Sequence, residues 1–266
     1  GHFRFGRPTG IDITGELAGL LPSREWKRSR RNEPWFPGET IITGIGQGFF
    51  LATPLQLATA TAALASNGQI IQPKVVHAEQ VADSGELLPH QPRIGETLTI
   101  KDQQHWDDVI QSMIDVVHAA RGTARRIGED SPYRIAGKTG TAQVFGLKQE
   151  EKYDAEKLAK KLHDHSLFIA FASVAEPRIA IAIVVEHGGR VVVRGKNLPV
   201  EKRDDGLDFF QAEHLARLVE LDHAVTLGVA HAVAEDRRAG LGAGRPAQCL
   251  GQAVAVENVV TQRQRH

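Results

Sequence analysis

Apolar positions along this chain change their period several times, and each change marks an element. Leu55, Ala58, Ala62 and Ala65 recur at helical spacing on one face. Ahead of them Thr53 is a good N-cap, Pro54 occupies the first helical position, where its missing N–H costs nothing, and Gln56 can close a capping box. The spacing predicts a helix to Asn67 stopped by Gly68, with a small-residue face suited to close packing. A second stripe of Trp106, Val109, Ile110, Met113, Ile114 and Val117 predicts another helix. Thr99 is its expected cap, with Asp102 in the first turn and Gly122 at the end.

Strand patterns occupy other stretches. Ile70 to Gln80 reads as a strand, and Asp83-Ser84-Gly85-Glu86 as the turn of a hairpin. Arg134 to Val144 (RIAGKTGTAQV) is a strand with a cationic, hydroxyl-bearing edge. Ser166 to Ala175 and Arg178 to Glu186 are apolar strands joined by Ala175-Glu176-Pro177-Arg178. Three such strands in sequence, the middle one buried, predict the centre of an antiparallel sheet. Gly1 to Pro22 reads as ordered loop, Arg24 to Arg31 as a solvated basic loop, and Thr40 to Gly48 as a β-branched run entering a triple-glycine turn.

The chain has 266 residues, 41% hydrophobic and 24% charged, and is long enough to bury a core. Its 32 basic and 32 acidic residues leave no net field, and Arg24 to Arg31 has no second basic stretch nearby, so nucleic acid is not an expected partner. Cys249 is the single cysteine, which excludes an internal disulfide and cannot by itself build a metal site. His163-Asp164-His165 reads as loop histidines, because alternate residues of an extended segment face opposite ways. Gly44-Ile45-Gly46-Gln47-Gly48 lacks the dinucleotide spacing and stands too far from the helix start for a phosphate cradle; it reads as a tight turn beside a site. No cofactor and no metal are expected.

The chemistry concentrates at Lys138-Thr139-Gly140-Thr141. On a strand edge these residues offer a positive charge, two hydroxyls on one face, and a glycine that admits a ligand close to the backbone. Such an edge can take an anionic peptide by strand addition and aim a backbone N–H at a developing oxyanion. An acyl substrate bearing a carboxylate fits it.

Further segments surround this one. They are Phe5-Gly6-Arg7-Pro8-Thr9-Gly10-Ile11-Asp12, Gly19-Leu20-Leu21-Pro22, Trp35-Phe36-Pro37-Gly38-Glu39-Thr40, Gly44-Ile45-Gly46-Gln47-Gly48, Ala52-Thr53-Pro54-Leu55-Gln56-Leu57-Ala58 and Gly122-Thr123-Ala124. With Gly137-Lys138-Thr139-Gly140-Thr141-Ala142-Gln143 they closely resemble the class B penicillin-binding proteins, in order and spacing, from Gly1 to about Gly189. The resemblance implies an α/β fold of the β-lactamase/transpeptidase type, with helices around a five-stranded antiparallel sheet. It implies an elongation-type D,D-transpeptidase that cross-links peptidoglycan stem peptides through an acyl-serine and is acylated by β-lactams. A cell-wall glycosyltransferase and an elongation complex are the implied partners. The implied location is the inner membrane, with the catalytic domain in the periplasm.

By the same resemblance Lys138 serves as the cation of the site and draws in the substrate carboxylate. Thr139 and Thr141 add hydroxyls, Thr141 also gives its backbone N–H to the oxyanion, and Gly140 keeps the edge open. Of the family's motifs Ser-x-x-Lys, Ser-x-Asn and Lys-Thr-Gly, only the third occurs in these residues. The expectation is a fragment that begins after the nucleophile, is inactive alone and is marginally folded. A non-catalytic penicillin-fold binding module, or a relative of the D,D-carboxypeptidases and β-lactamases, are the other readings. From Arg190 to His266 isoleucine and serine vanish and arginine greatly outnumbers lysine, which suggests a boundary near Gly189 and a frameshifted or fused tail. Within it, Phe209 to Val225 is expected to be helical and Arg237 to Gln248 poorly ordered.

Overall fold

Isoleucine and alanine alternate along strand β7 (Ile179–Val185), and because side chains of a strand alternate between faces, each kind lines one side of the sheet. Ile179, Ile181 and Ile183 bury with Ile135, Phe168, Val117, Ala124 and Ile127 on one face. Ala180 and Ala182 line the other. There helix α3 (Pro54–Ala65) lies across the strand, with Ala58 packed in a cluster with Ala182 and Ala62 in a cluster with Ala180. Only small side chains on both partners let a helix backbone approach a sheet this closely. The expected small-residue face is therefore the docking face.

The computed structural model describes residues 2–76, 78–89, 93–144, 163–188, 229–234 and 249–257. Its main sheet has five strands in the order β5-β6-β7-β9-β8, all neighbours antiparallel. They are β5 (Ile135–Ala142), β6 (His165–Ala172), β7, β8 (Val229–Ala234) and β9 (Cys249–Glu257). The expected five-stranded antiparallel sheet flanked by helices is thus observed, with β5 at one edge. The proposed helix at Phe209 to Val225 and the segment Arg237 to Gln248 lie outside the described residues, as does most of Gln149 to His163.

Capping chemistry placed α3 correctly. Gln56 N–H donates to Thr53 Oγ1 at 3.1 Å while Thr53 N–H donates to Gln56 Oε1 at 3.0 Å. The helix stops at Ala65, two residues short of the expected end, and Gly68 turns the chain with a positive φ of 92°. Helix α4 (Gln103–His118) buries Trp106, Met113, Ile114 and Val117 as expected, whereas Val109 stays exposed. Its cap is Asp102, whose carboxylate accepts Gln104 N–H at 2.9 Å, and not Thr99. The expected strand from Ile70 to Gln80 is two short ones, β1 (Gln69–Gln72) and β2 (Ala78–Gln80), which pair with β4 (Arg93–Thr97) and β3 (Leu87–Pro89).

Two stretches read as loop or strand are helices. Arg24–Arg31 forms α1, capped by Ser23 Oγ on Trp26 N–H at 3.1 Å and stopped by Asn32 in the left-handed region at φ 55°. Glu25 in its first turn and three arginines in its last turn match the helix dipole. Pro37–Gly44 forms α2, where Pro37 at the start and Glu39 reaching back to Phe36 N–H at 2.7 Å outweigh the β-branched run. One ion pair joins the two helices. Lys27 is 2% exposed, and its Nζ donates to Glu39 Oε1 at 2.6 Å and lies 4.6 Å from the Phe36 ring centroid. That hydrogen bond, followed by the one from Phe36 N–H, holds the Glu39 carboxyl below its ordinary value.

The alanine contact sets a clear expectation. Ala182→Leu forces α3 off β7 and should cost about 1–3 kcal/mol, whereas Ile181→Val on the other face should cost about 0.5–1.5 kcal/mol. Urea denaturation of the 266-residue chain measures both.

Candidate active site

Strand β5 carries Lys138-Thr139-Gly140-Thr141 on an edge of the sheet that no other strand among the described residues covers. Lys138 pairs across with Ile169, Thr139 with Phe168, Gly140 with Leu167 and Thr141 with Ser166. Side-chain alternation puts Thr139 and Thr141 on one face and Lys138 and Gly140 on the other. Lys138 is exposed, and its ammonium folds back to donate to Thr139 O at 2.5 Å. The cation therefore lies along the strand edge and does not share a face with the hydroxyls. Gly140 faces Leu167, where an added Cβ would stand 3.3 Å from the Leu167 Cβ. Gly137 is more constrained, since a Cβ there would meet the Phe168 ring at 2.8 Å.

Three partners converge on this strand from outside the sheet. Thr123 Oγ1 and Thr139 Oγ1 are 2.9 Å apart. Thr123 sits in the turn between α4 and α5 (Arg125–Gly128), and that turn folds back so tightly that a Cβ on Gly122 would lie 2.4 Å from Val116 O. Ala124, 1% exposed, fastens it by donating its N–H to Val116 O at 2.9 Å. Gln47, from the glycine turn after α2, donates Nε2 to Thr141 O at 2.7 Å. His118, in the last turn of α4, accepts Ile135 N–H on Nε2 at 2.9 Å. The sequence had placed the glycine turn beside a site and Gly-Thr-Ala among the family segments, but it gave no role to Gln47, Thr123 or His118. For His118 no sequence signal existed.

The other motifs act as framework. Gln56, 2% exposed, donates Nε2 to Arg7 O and to Ala18 O, each at 2.8 Å. Asp12 accepts Val75 N–H at 2.6 Å and Val76 N–H at 3.0 Å, and these bonds hold its carboxyl below its ordinary value. Glu16 ties Thr9 and Gly10. His165 opens β6 and is not a loop residue; His187 N–H donates to its Nδ1 at 2.9 Å, and the two rings meet edge to face. Burial first, and His187 second, lower the His165 pKa, against the opposing pull of Glu186 and Asp164. Among the described residues no group of three His, Cys, Asp or Glu is placed to hold a metal. No helix among them is long and apolar enough to cross a membrane.

A profile of the penicillin binding protein transpeptidase domain matches residues 1–202. The chain belongs to this transpeptidase family. The peptidoglycan D,D-transpeptidase MrdA of Haemophilus influenzae is 43% identical over 188 residues, which are 70% of this chain and 28% of that protein. The chain thus spans less than a third of the curated relative it matches. Among solved structures, Pseudomonas aeruginosa PBP2 in complex with WCK 5153 superposes with a TM-score of 0.61 at 37% identity, over 85% of this chain and 44% of that one. Helicobacter pylori PBP2, in its complex with MreC, gives a TM-score of 0.61 at 28% identity over 82% of this chain and 34% of that one. The family and its fold agree with the resemblance drawn from the motifs.

His118 makes the end of the transpeptidase strand pH-sensitive. Burial, with the charge of Arg134 nearby, keeps its imidazole below the ordinary value of 6.5. Only an unprotonated Nε2 can accept the Ile135 N–H. Because the folded value is the lower one, the stabilisation is complete above pH 6.5 and is lost as the pH falls through the folded value. The exchange protection factor of the Ile135 amide should drop over that window in the native chain and become flat with pH in His118→Phe, as followed by NMR.

Proposed function

We propose that this chain is the part of a peptidoglycan D,D-transpeptidase that binds the acyl substrate and supports its oxyanion. The observation that carries the reading is the open edge of β5, where Lys138, the Thr139 hydroxyl paired with Thr123, and the backbone of Thr141 converge. Lys138 supplies the charge that attracts the terminal carboxylate of a stem peptide. Thr139 and Thr141 supply hydroxyl donors, and the Thr141 N–H faces the developing negative charge. Gly140 leaves the edge low enough for a peptide backbone to pair. β-Lactams, as acyl compounds with a carboxylate, fit the same edge.

Bond-making needs a nucleophile. No serine in these 266 residues stands three positions before a lysine. Binding and polarisation are therefore the functions assigned to this chain, and acylation is assigned to a serine outside it. That same absence supports a second reading, a penicillin-fold module that binds without reacting. The partners proposed are a cell-wall glycosyltransferase and an elongation complex, supported by the MreC complex of the H. pylori relative. A periplasmic catalytic domain held at the inner membrane is the proposed location. We also propose that residues 190–266 are a tail of different origin, on the compositional change at Gly189; the family match running on to residue 202 and the pairing of β9 with β7 are the observations that stand against it. Peptides from that tail in a digest of the native organism would contradict a shifted reading frame.

An Nα-acetylated peptide ending in D-alanyl-D-alanine should bind the chain without covalent change, and fluorescent penicillin should leave it unlabelled. Lys138→Met should weaken the peptide about tenfold or more, the loss expected for a charge-assisted hydrogen bond. Calorimetric titration and gel fluorescence read the two outcomes. A covalent penicillin adduct would overturn the assignment of the nucleophile, and an unchanged affinity in Lys138→Met would overturn that of the cation.

A further inference from the structure

The outer edge of β5 is bounded at both ends by side chains from other elements. Along an edge strand alternate residues turn both N–H and C=O away from the sheet. In β5 that outward set runs through Ile135, Gly137, Thr139 and Thr141, because Ile135 N–H, Thr139 O and Thr141 O all meet side chains and not β6. His118 closes the Ile135 end, and Gln47 closes the Thr141 end. Between them lie the N–H groups of Gly137, Thr139 and Thr141, over which an added strand can pair.

Gln47 is placed at that end by the hydrogen bonds of its own turn. Its own N–H donates to Ile42 O at 3.0 Å, and Gly46 N–H donates to Thr43 O at 3.0 Å. Gly46 and Gly48 take positive φ values of 74° and 73°, which a side chain would strain, and a Cβ on Gly48 would meet Ile42 Cγ2 at 2.9 Å. The turn is thus packed on α2, and α2 is fixed to α1 by the buried Lys27–Glu39 pair. The half-buried Gln47 side chain is a strut from this turn to the strand.

We infer that Gln47 is a positioning residue of the peptide-addition site: its amide pins the Thr141 carbonyl, and with it the orientation of the Thr139–Thr141 edge that a ligand pairs with. The carbonyl keeps a second lone pair, so a ligand N–H can share it with Gln47. The inference rests on the proposed peptide-binding role for its ligand, but the strut itself is testable without one.

The test uses the isotopically labelled 266-residue chain and two variants, Gln47→Met, which keeps the length and loses the donor, and Gln47→Glu, which presents only acceptors to the carbonyl. In the free chain, amide exchange at Gly140 and Ala142 should accelerate at least about threefold in both variants, and more than at the amides of β6 and β7, which change only with the small fall in global stability expected for loss of one neutral hydrogen bond. On titration with the Nα-acetylated D-alanyl-D-alanine peptide, the Thr139 and Thr141 amide signals should move, and the affinity should fall about three- to tenfold in each variant. Unchanged exchange at Gly140 and Ala142 overturns the strut, whatever the peptide does. Faster exchange with an unchanged affinity also overturns the positioning role. Should the native chain fail to bind the peptide, the functional reading falls, and the exchange rates alone decide the strut. A lowered unfolding midpoint together with exchange equally faster throughout the sheet makes Gln47 a general stability residue and overturns the inference.

Discussion

The close approach of α3 to β7, alanine against alanine, fixes the positions of the parts that surround the strand edge. With Ala58 and Ala62 down on Ala182 and Ala180, the capped start of α3 has one place to be. There Gln56 is buried, and a buried amide must satisfy its donors. It does so on the carbonyls of Arg7 and Ala18, which draws the N-terminal segment across the helix start. Gly19 is part of that closure, since at φ 60° a Cβ would sit 2.5 Å from Leu51 O and 2.7 Å from Gln56 Oε1. The glycine turn that carries Gln47 is the stretch just before α3, so its reach to β5 follows from where the helix lies.

Local chemistry was legible wherever one residue type solves one problem. Thr53, Pro54 and Gln56 announce a helix start because each satisfies a specific orphan group, and the structure uses all of them. The apolar strands around Phe168 and Ile181 were legible for the same reason, as was the Lys-Thr-Gly edge. Thr40 to Thr43 misled, because β-branched residues favour strands only weakly, and Glu39 with its buried lysine partner stabilises a helix instead. Arg24 to Arg31 misled through charge. Its cap Ser23 and its left-handed stop Asn32 were visible, but nothing local says that Lys27 is buried. Long-range contacts were the illegible part. Gln47 meets Thr141 across 94 positions, and no spacing rule spans that distance.

Alternation also refined the site itself. A lysine and a threonine adjacent on a strand point to opposite faces, so the charge and the hydroxyls cannot act as one cluster unless the lysine bends. Here it bends along the edge to the Thr139 carbonyl. The ammonium then lies along the strand edge, while the Thr123–Thr139 hydroxyl pair lies on the adjoining face.

An open strand edge is also a hazard, because any extended chain with unpaired amides can add to it, including another copy of the same protein. On β5 the backbone groups nearest each end already have intramolecular partners, His118 on one side and Gln47 on the other. A long, indifferent strand would have to evict both. The short peptide end proposed as ligand would fit between them without evicting either, and the side chains that frame the edge would then also work against self-association.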